Sequence, residues 1–204
     1  MIKALDHIVL VTLDLEEAMR DHRGRGFIVQ PGGEHVGGLS HNALVGFADG
    51  SYLEIFAFHD VAKARGKHTW SPVADRGGGW ADFALLSDDV VSDAAKAGDL
   101  LARAAERGGR SRPDGVRLAW RSARLVPPLP FLIEDLTPRE LRVPGGEATR
   151  HPNGVAGVAK IVLGARDPDL VASRYTRLRE RGAPDVEIRN ADHDRLIDVV
   201  YDAP

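Results

Sequence analysis

The chain has 204 residues, 43% of them hydrophobic, enough to bury a core as one large domain or two small ones. A formal net charge of -3 leaves no electrostatic footprint for nucleic acid or an anionic membrane. No apolar run approaches the ~20 residues of a membrane span and MIKALDHIVL lacks the segmented pattern of a secretion signal, so a soluble cytoplasmic protein is expected. The absence of cysteine excludes disulfides, thiol nucleophiles and zinc-thiolate centres, leaving imidazole, carboxylate, carbonyl or water to hold any metal.

The first predicted element is a strand in LDHIVLVTLD, residues 5–14. Asp14 reads as the N-cap of a helix, with Glu17 at capping-box spacing and Gly24 or Gly26 as the stop. QPGGEHVGGLSHN, residues 30–42, is glycine-rich but lacks the strand, glycine pattern and helix of a phosphate loop. It is expected to form a mobile loop beside a cleft, with His41 as a candidate substrate contact. HNALVGFADGSYLEIFAF then predicts two strands about a tight ADGS turn.

WADFALLSDD predicts the next strand. In DVVSDAAKAGDLLARAAERGG, apolar residues at helical spacing predict a helix running up to Gly108 and Gly109. GVRLAWRSARLV and LPFLIED read as strands, and in the former Val116, Leu118 and Trp120 share one face while Arg117 and Arg121 share the other. TPRELRVPGGEATRHPNG, residues 137–154, is rich in Pro, Gly and charge and reads as a linker. From Val158, VAKIVLGARDPDLVA repeats the opening, with IVL in register and Asp167 over Asp14. Pro168 takes the first helical position, Gly182 stops the helix, and DVEIRN and RLIDVVY follow as strands.

The fold predicted from this order is α+β. Residues 1–75 and 76–136 form paired βαβββ modules, 137–154 the linker, and 155–204 a partial third βαββ unit. A shortened unit with open sheet edges predicts a homodimer.

The paired modules, the opening LDHIVL, the YLEIFAF strand and PFLIED with HPNGV downstream resemble the vicinal oxygen chelate superfamily, in its glyoxalase-like branch (glyoxalase, bleomycin resistance and dioxygenase type). The resemblance covers nearly the whole chain. It implies a curled mixed sheet around a cleft that binds a divalent metal, with ligands from the first and last strands of each module. Glyoxalases, epimerases, extradiol dioxygenases, thiol transferases and metal-free drug-binding proteins share this fold, so it implies a reaction only weakly.

Strand alternation sets His7 with Val9 and Val11, and Tyr52 with Glu54 and Phe56. Glu54 is an acid inside an apolar strand, costly unless paired or bound to a cation; a metal between His7 and Glu54 would explain both. Zn, Fe, Mn, Ni or Co suits such ligands. Aligning WADFALLSDD with the first strand puts Asp82 at the His7 position, and aligning PFLIED with YLEI puts Glu134 at the Glu54 position. The family usually has His or Gln where Asp82 stands, and an Asp82–arginine pair is the bland alternative. His151, folding back from the linker, is the other candidate, giving two histidines and a carboxylate. Asp82 and His151 both remain open. Lys160 at the His7 position of the third unit speaks against a second site there.

The reading is a glyoxalase-like, metal-dependent enzyme of lyase, isomerase or dioxygenase type acting on a small oxygenated metabolite, with Glu134 as base. Tyr52, Phe56 and Trp120 are the expected substrate contacts. The alternative is a metal-free binding or resistance protein that uses the same cleft.

Overall fold

In the computed structural model of the chain, which describes residues 1–202, strand β1 spans Ile2–Thr12 and helix α1 Leu15–Gly24. Asp14 caps α1: its carboxylate accepts the Glu17 amide at 2.9 Å, satisfying one donor that a helix start leaves free. Leu15 and Met19 form the buried face of α1. Strands β2 (Gln30–His35), β3 (Ser40–Gly46) and β4 (Tyr52–Phe58) complete the first half. The predicted ADGS turn joins β3 to β4, with Gly50 at φ +84° and Asp49 accepting from the Ser51 amide.

The second half contains β5 (Gly79–Ser87), helix α4 (Val90–Ala97), β6 (Leu101–Ser111), β7 (Arg117–Leu125) and β8 (Phe131–Asp135). Between the halves lie the short helices α2 (Val61–Ala64) and α3 (Ser71–Asp75).

Two expectations are corrected here. The glycine-rich segment expected as a mobile loop contains β2. Its glycines serve close approach: a Cβ on Gly32 would meet Asn42 Oδ1 at 2.0 Å, and one on Gly33 would meet the Ser111 carbonyl at 2.0 Å. The helix expected to reach Gly109 ends at Ala97, where Gly98 turns at φ +59° and donates to the Ala95 carbonyl. The rest of that segment is β6. Its helical spacing is overridden by pairing, since β6 runs antiparallel to β7 and its end pairs with β2 through Glu34↔Ser111 and His35↔Arg110.

Those pairs close the curled mixed sheet into a barrel of strand order β1-β4-β3-β2-β6-β7-β8-β5. The contacts β1–β4 and β5–β8 are parallel, and β1 pairs with β5 antiparallel. Alternation then sorts the core. Val9, Val11, Phe56, Ala84, Phe131 and Ile133 cluster inside the barrel with Trp70 and Ala74, while Ile8, Leu53, Phe83, Leu85 and Leu132 pack on the outer side.

The segment 137–154 carries helix α5 (Arg139–Arg142), which delivers a buried arginine to the centre of the molecule. Beyond it, β9 (Gly157–Ala165), α6 (Pro168–Arg179), β10 (Glu187–Asn190) and β11 (Arg195–Asp202) form a βαββ unit with a separate sheet of order β10-β9-β11. Asp167 caps α6 through the Leu170 amide. The unit is anchored by Arg181 on Asp93 at 2.8 Å and by Tyr201 against the rings of Phe27 and Phe47.

Candidate active site

β1 and β4 deliver the floor of the barrel cavity. Their register sets His7 beside Tyr52 and Val9 beside Glu54, and the His7 ring stacks on Tyr52 with centroids 4.6 Å apart. His7 and Glu54 are only 2% and 5% exposed, so the charge state of each is set by the protein and not by bulk water.

His7 Nδ1 lies 2.5 Å from Asp6 Oδ1. Burial pushes the Asp6 carboxyl up, but Arg142 and His7 outweigh it and hold it well below the usual carboxylate range. Arg142 bonds both Asp6 oxygens at 2.9 and 2.8 Å and the Tyr52 hydroxyl at 2.6 Å, and it also pairs with Asp135. An ionised carboxylate only accepts, so His7 donates through Nδ1–H and turns Nε2 to the cavity.

That nitrogen faces Glu54 Oε2 at 3.5 Å. Burial pushes Glu54 up as well, but the hydrogen bond and charge of His35, the charge of His7 and the Asn42 amide bring it down to about 2. Asn42 donates to Oε1 at 2.7 Å, and His35 Nε2 lies 3.4 Å from the same oxygen. A lone pair on His7 Nε2 facing a carboxylate oxygen is repulsive unless a cation, either a proton or a metal, belongs between them.

His35 is the residue that sequence reading missed. Its signal was a histidine after PGG in a segment read as loop; only as part of β2 does it face inward, with Ser40 Oγ 3.0 Å from its Nδ1. Arg142 and Asp6 were missed for the same kind of reason, because their contact joins β1 to α5 across 136 positions.

The cavity holds about 390 Å³, at the small end of ligand pockets. Tyr52, Phe56 and Trp120, the expected substrate contacts, line it together with His68, Trp70 and Phe131. Four other expected residues do not line it. His41 alternates with the inward Ser40 and Asn42 and therefore points out of the barrel, where it joins Glu34 and His59. Their donor atoms lie within 4.8 Å of one another, the one such group among the described residues. Asp82 is neutralised behind the wall by Arg124 and accepts from Trp70 Nε1 at 3.0 Å. His151 is a latch, accepting the Ile28 amide on Nδ1 at 3.0 Å and donating from Nε2 to the Gly46 carbonyl at 2.9 Å.

Glu134 faces the helix layer, accepting from the Val90 amide and pairing with Arg121. The error is one of register. β1 and β5 pair His7 with Ala84 and Val9 with Asp82, so laying Asp82 on His7 lays Ala84 on Val9. Val9 neighbours Glu54 and Ala84 neighbours Phe131. Phe131 thus takes the Glu54 position, and Glu134, an odd number of residues further on, faces the other way. The expectations of Glu134 as ligand and base, and of Asp82 or His151 as the completing ligand in the cleft, are corrected accordingly.

A barrel built from two βαβββ halves, with a polar floor supplied by first and last strands, is the architecture of the vicinal oxygen chelate superfamily. The chain matches the Glyoxalase-like domain family over residues 5–179, and it belongs to that family. Among solved structures it resembles a hypothetical protein from Staphylococcus aureus, with 12% identity, 96% of this chain and 89% of that chain covered, and a TM-score of 0.72. At that identity the likeness shows the fold alone. Methylmalonyl-CoA epimerase from Streptomyces coelicolor, in complex with 2-nitronate-propionyl-CoA, is 18% identical over 67% of this chain and 100% of that chain, with a TM-score of 0.43. The epimerase from Mycobacterium tuberculosis is 14% identical over 67% and 90%, at 0.44. No curated protein matches the chain.

Proposed function

We propose that this glyoxalase-like protein is an enzyme acting on a small oxygenated metabolite in the barrel cavity, with a divalent metal (zinc, iron, manganese, nickel or cobalt) held by His7, Glu54 and His35. The observation that carries this reading is His7 Nε2, oriented by the bond of Nδ1 to Asp6 and set 3.5 Å from an ionised Glu54 oxygen. Two imidazoles and a carboxylate suit such ions, and a carboxylate behind a ligating imidazole is the support that metal-bound histidines generally have. When bound, the ion supplies polarisation of the substrate's oxygens.

The chain's own residues do the rest. Asp6 fixes the His7 tautomer, and Asn42 orients Glu54. His68 accepts the Trp70 amide on Nδ1 at 3.2 Å, leaving Nε2–H free to donate. Burial and the nearby Arg124 push His68 down to about 4, so it stays neutral near pH 7 and can donate to an oxygen on which negative charge develops. The aromatic side chains exclude water. With Glu134 outside the cavity, Glu54 is the carboxylate of the floor that can accept a proton.

A second reading, a metal-free binding protein, is favoured by the second half of the barrel, where Arg124 neutralises Asp82 and Phe131 replaces a carboxylate. In that case a proton is the cation on His7. The two readings separate in a turnover screen of hydroxy-ketones, thiol adducts of 2-oxoaldehydes and catechols, run with the metal-loaded and chelated protein. The enzyme reading expects one class to be converted only with metal, and not by His7→Ala or Glu54→Ala. Binding without turnover under every metal would support the second reading instead. The proposed homodimer draws support from Leu170 and Val200, which the third unit leaves exposed.

A further inference from the structure

We infer that the cavity selects substrates bearing a carboxylate, which docks on Arg124 and Arg103 while the rest of the molecule reaches the His7–Glu54 floor. This rests on the cavity being the substrate site and adds the substrate's charge class.

Arg103 and Arg124 are direct cross-strand partners on β6 and β7, and both line the cavity. Like charges directly opposite each other in a sheet are destabilising, so the pair is explained if an anion lies between them. Arg124 is prepared for that task. One terminal nitrogen is held by Asp82, which is itself fixed by Trp70. Its guanidinium carbon lies 5.0 Å from the Phe131 ring centre and 5.3 Å from that of Trp70. These contacts orient the planar group and strip part of its hydration. Its remaining N–H groups have no protein acceptor among the described residues, and a guanidinium edge of this kind matches a carboxylate's two oxygens.

The charge around the mouth agrees. Lys67, Arg103 and Arg107 line the cavity without a carboxylate within salt-bridge distance among the described residues, whereas Glu54 and Glu106 are the only acids lining it. The deeper arginines are already occupied, Arg110 by backbone carbonyls and Arg142 by Asp6 and Asp135. A structural role for Arg124, as counter-ion to Asp82, leaves Arg103 unexplained. Volume and the walls of Phe56, Trp70 and Trp120 add that the body is small and flat.

The test uses tryptophan fluorescence of the chelated, metal-free full chain, with benzoylformate and its uncharged isostere benzoylformamide as probes. Benzoylformate is expected to bind at least about tenfold more tightly than the amide. Arg103→Gln, at an exposed position, should cut that preference. The paired variant Asp82→Asn/Arg124→Gln, which leaves no unpartnered buried charge, should abolish it while far-ultraviolet circular dichroism stays native. Equal affinities, a preference untouched by either variant, or no saturable quenching by benzoylformate would each overturn the inference. Because no metal is present, failure of metal uptake sinks the enzyme reading alone, and a charge-blind cavity in a metal-binding protein sinks this inference alone.

Discussion

Asp6 is fully buried and ionised, held between the Arg142 guanidinium and the Nδ1 of His7. Removing its charge leaves Arg142 buried with Asp135 as its remaining carboxylate, and breaking a buried pair from one side costs about 3 kcal/mol. Asp6→Asn is therefore expected to lose stability of that order in urea denaturation, and to weaken any cation binding at His7; a loss under about 1 kcal/mol would mean that solvent reaches Arg142 after all. That His7 and Glu54 face each other was legible, because a histidine and an acid interrupting apolar strands demand a reason. Asp6 and Arg142 were not, since nothing local shows that an arginine in a Pro- and Gly-rich stretch will be buried against the first strand.

At the level of elements, the misreadings share one cause, that β2 and β6 are strands because of what they pair with. Gly108 shows the constraint, since a Cβ there would lie 2.3 Å from Trp120 Nε1. Gly108→Val is expected to push the indole into the cavity, shifting tryptophan fluorescence and weakening probe binding while far-ultraviolet circular dichroism stays native; unchanged probe binding would show that Trp120 does not border the ligand. His151 joins the loop after α1 to the end of β3 and needs a free lone pair on Nδ1 to do so. Burial pushes it below its ordinary value of 6.5. Its folded value is thus lower than the unfolded one, so its contribution is fully present above about 6.5 and is lost as pH falls toward the folded value. His151→Gln is expected to flatten the stability profile in that window in denaturant titrations and to leave metal uptake intact, whereas an unchanged slope would remove His151 as the titrating latch.

For the whole molecule, the α+β class was legible because capped helices and alternating strands are local signals. Barrel closure and the Phe131 register were not, because they are fixed by long-range pairing that an alignment of short apolar runs can slip. The closed barrel has no free edge, and in the third unit charged Glu187 and Arg189 guard the edge strand β10, so the proposed self-association would use the exposed apolar residues Leu170 and Val200. Sedimentation at micromolar concentration is expected to show a dimer, and Leu170→Asp/Val200→Asp to shift it to monomer; a wild-type monomer would contradict this.

The most direct test of the metal site is divalent-metal stoichiometry by elemental analysis after chelation and reloading. It compares wild type with His7→Ala, Glu54→Ala and His35→Ala, all in a Glu34→Ala/His59→Ala background that disables the surface group. One equivalent retained by the background protein and lost in all three variants, each still folded, is the predicted result. No uptake by the background protein under any loading condition would contradict it, and would leave His7 as a protonated contact in a metal-free binding cavity.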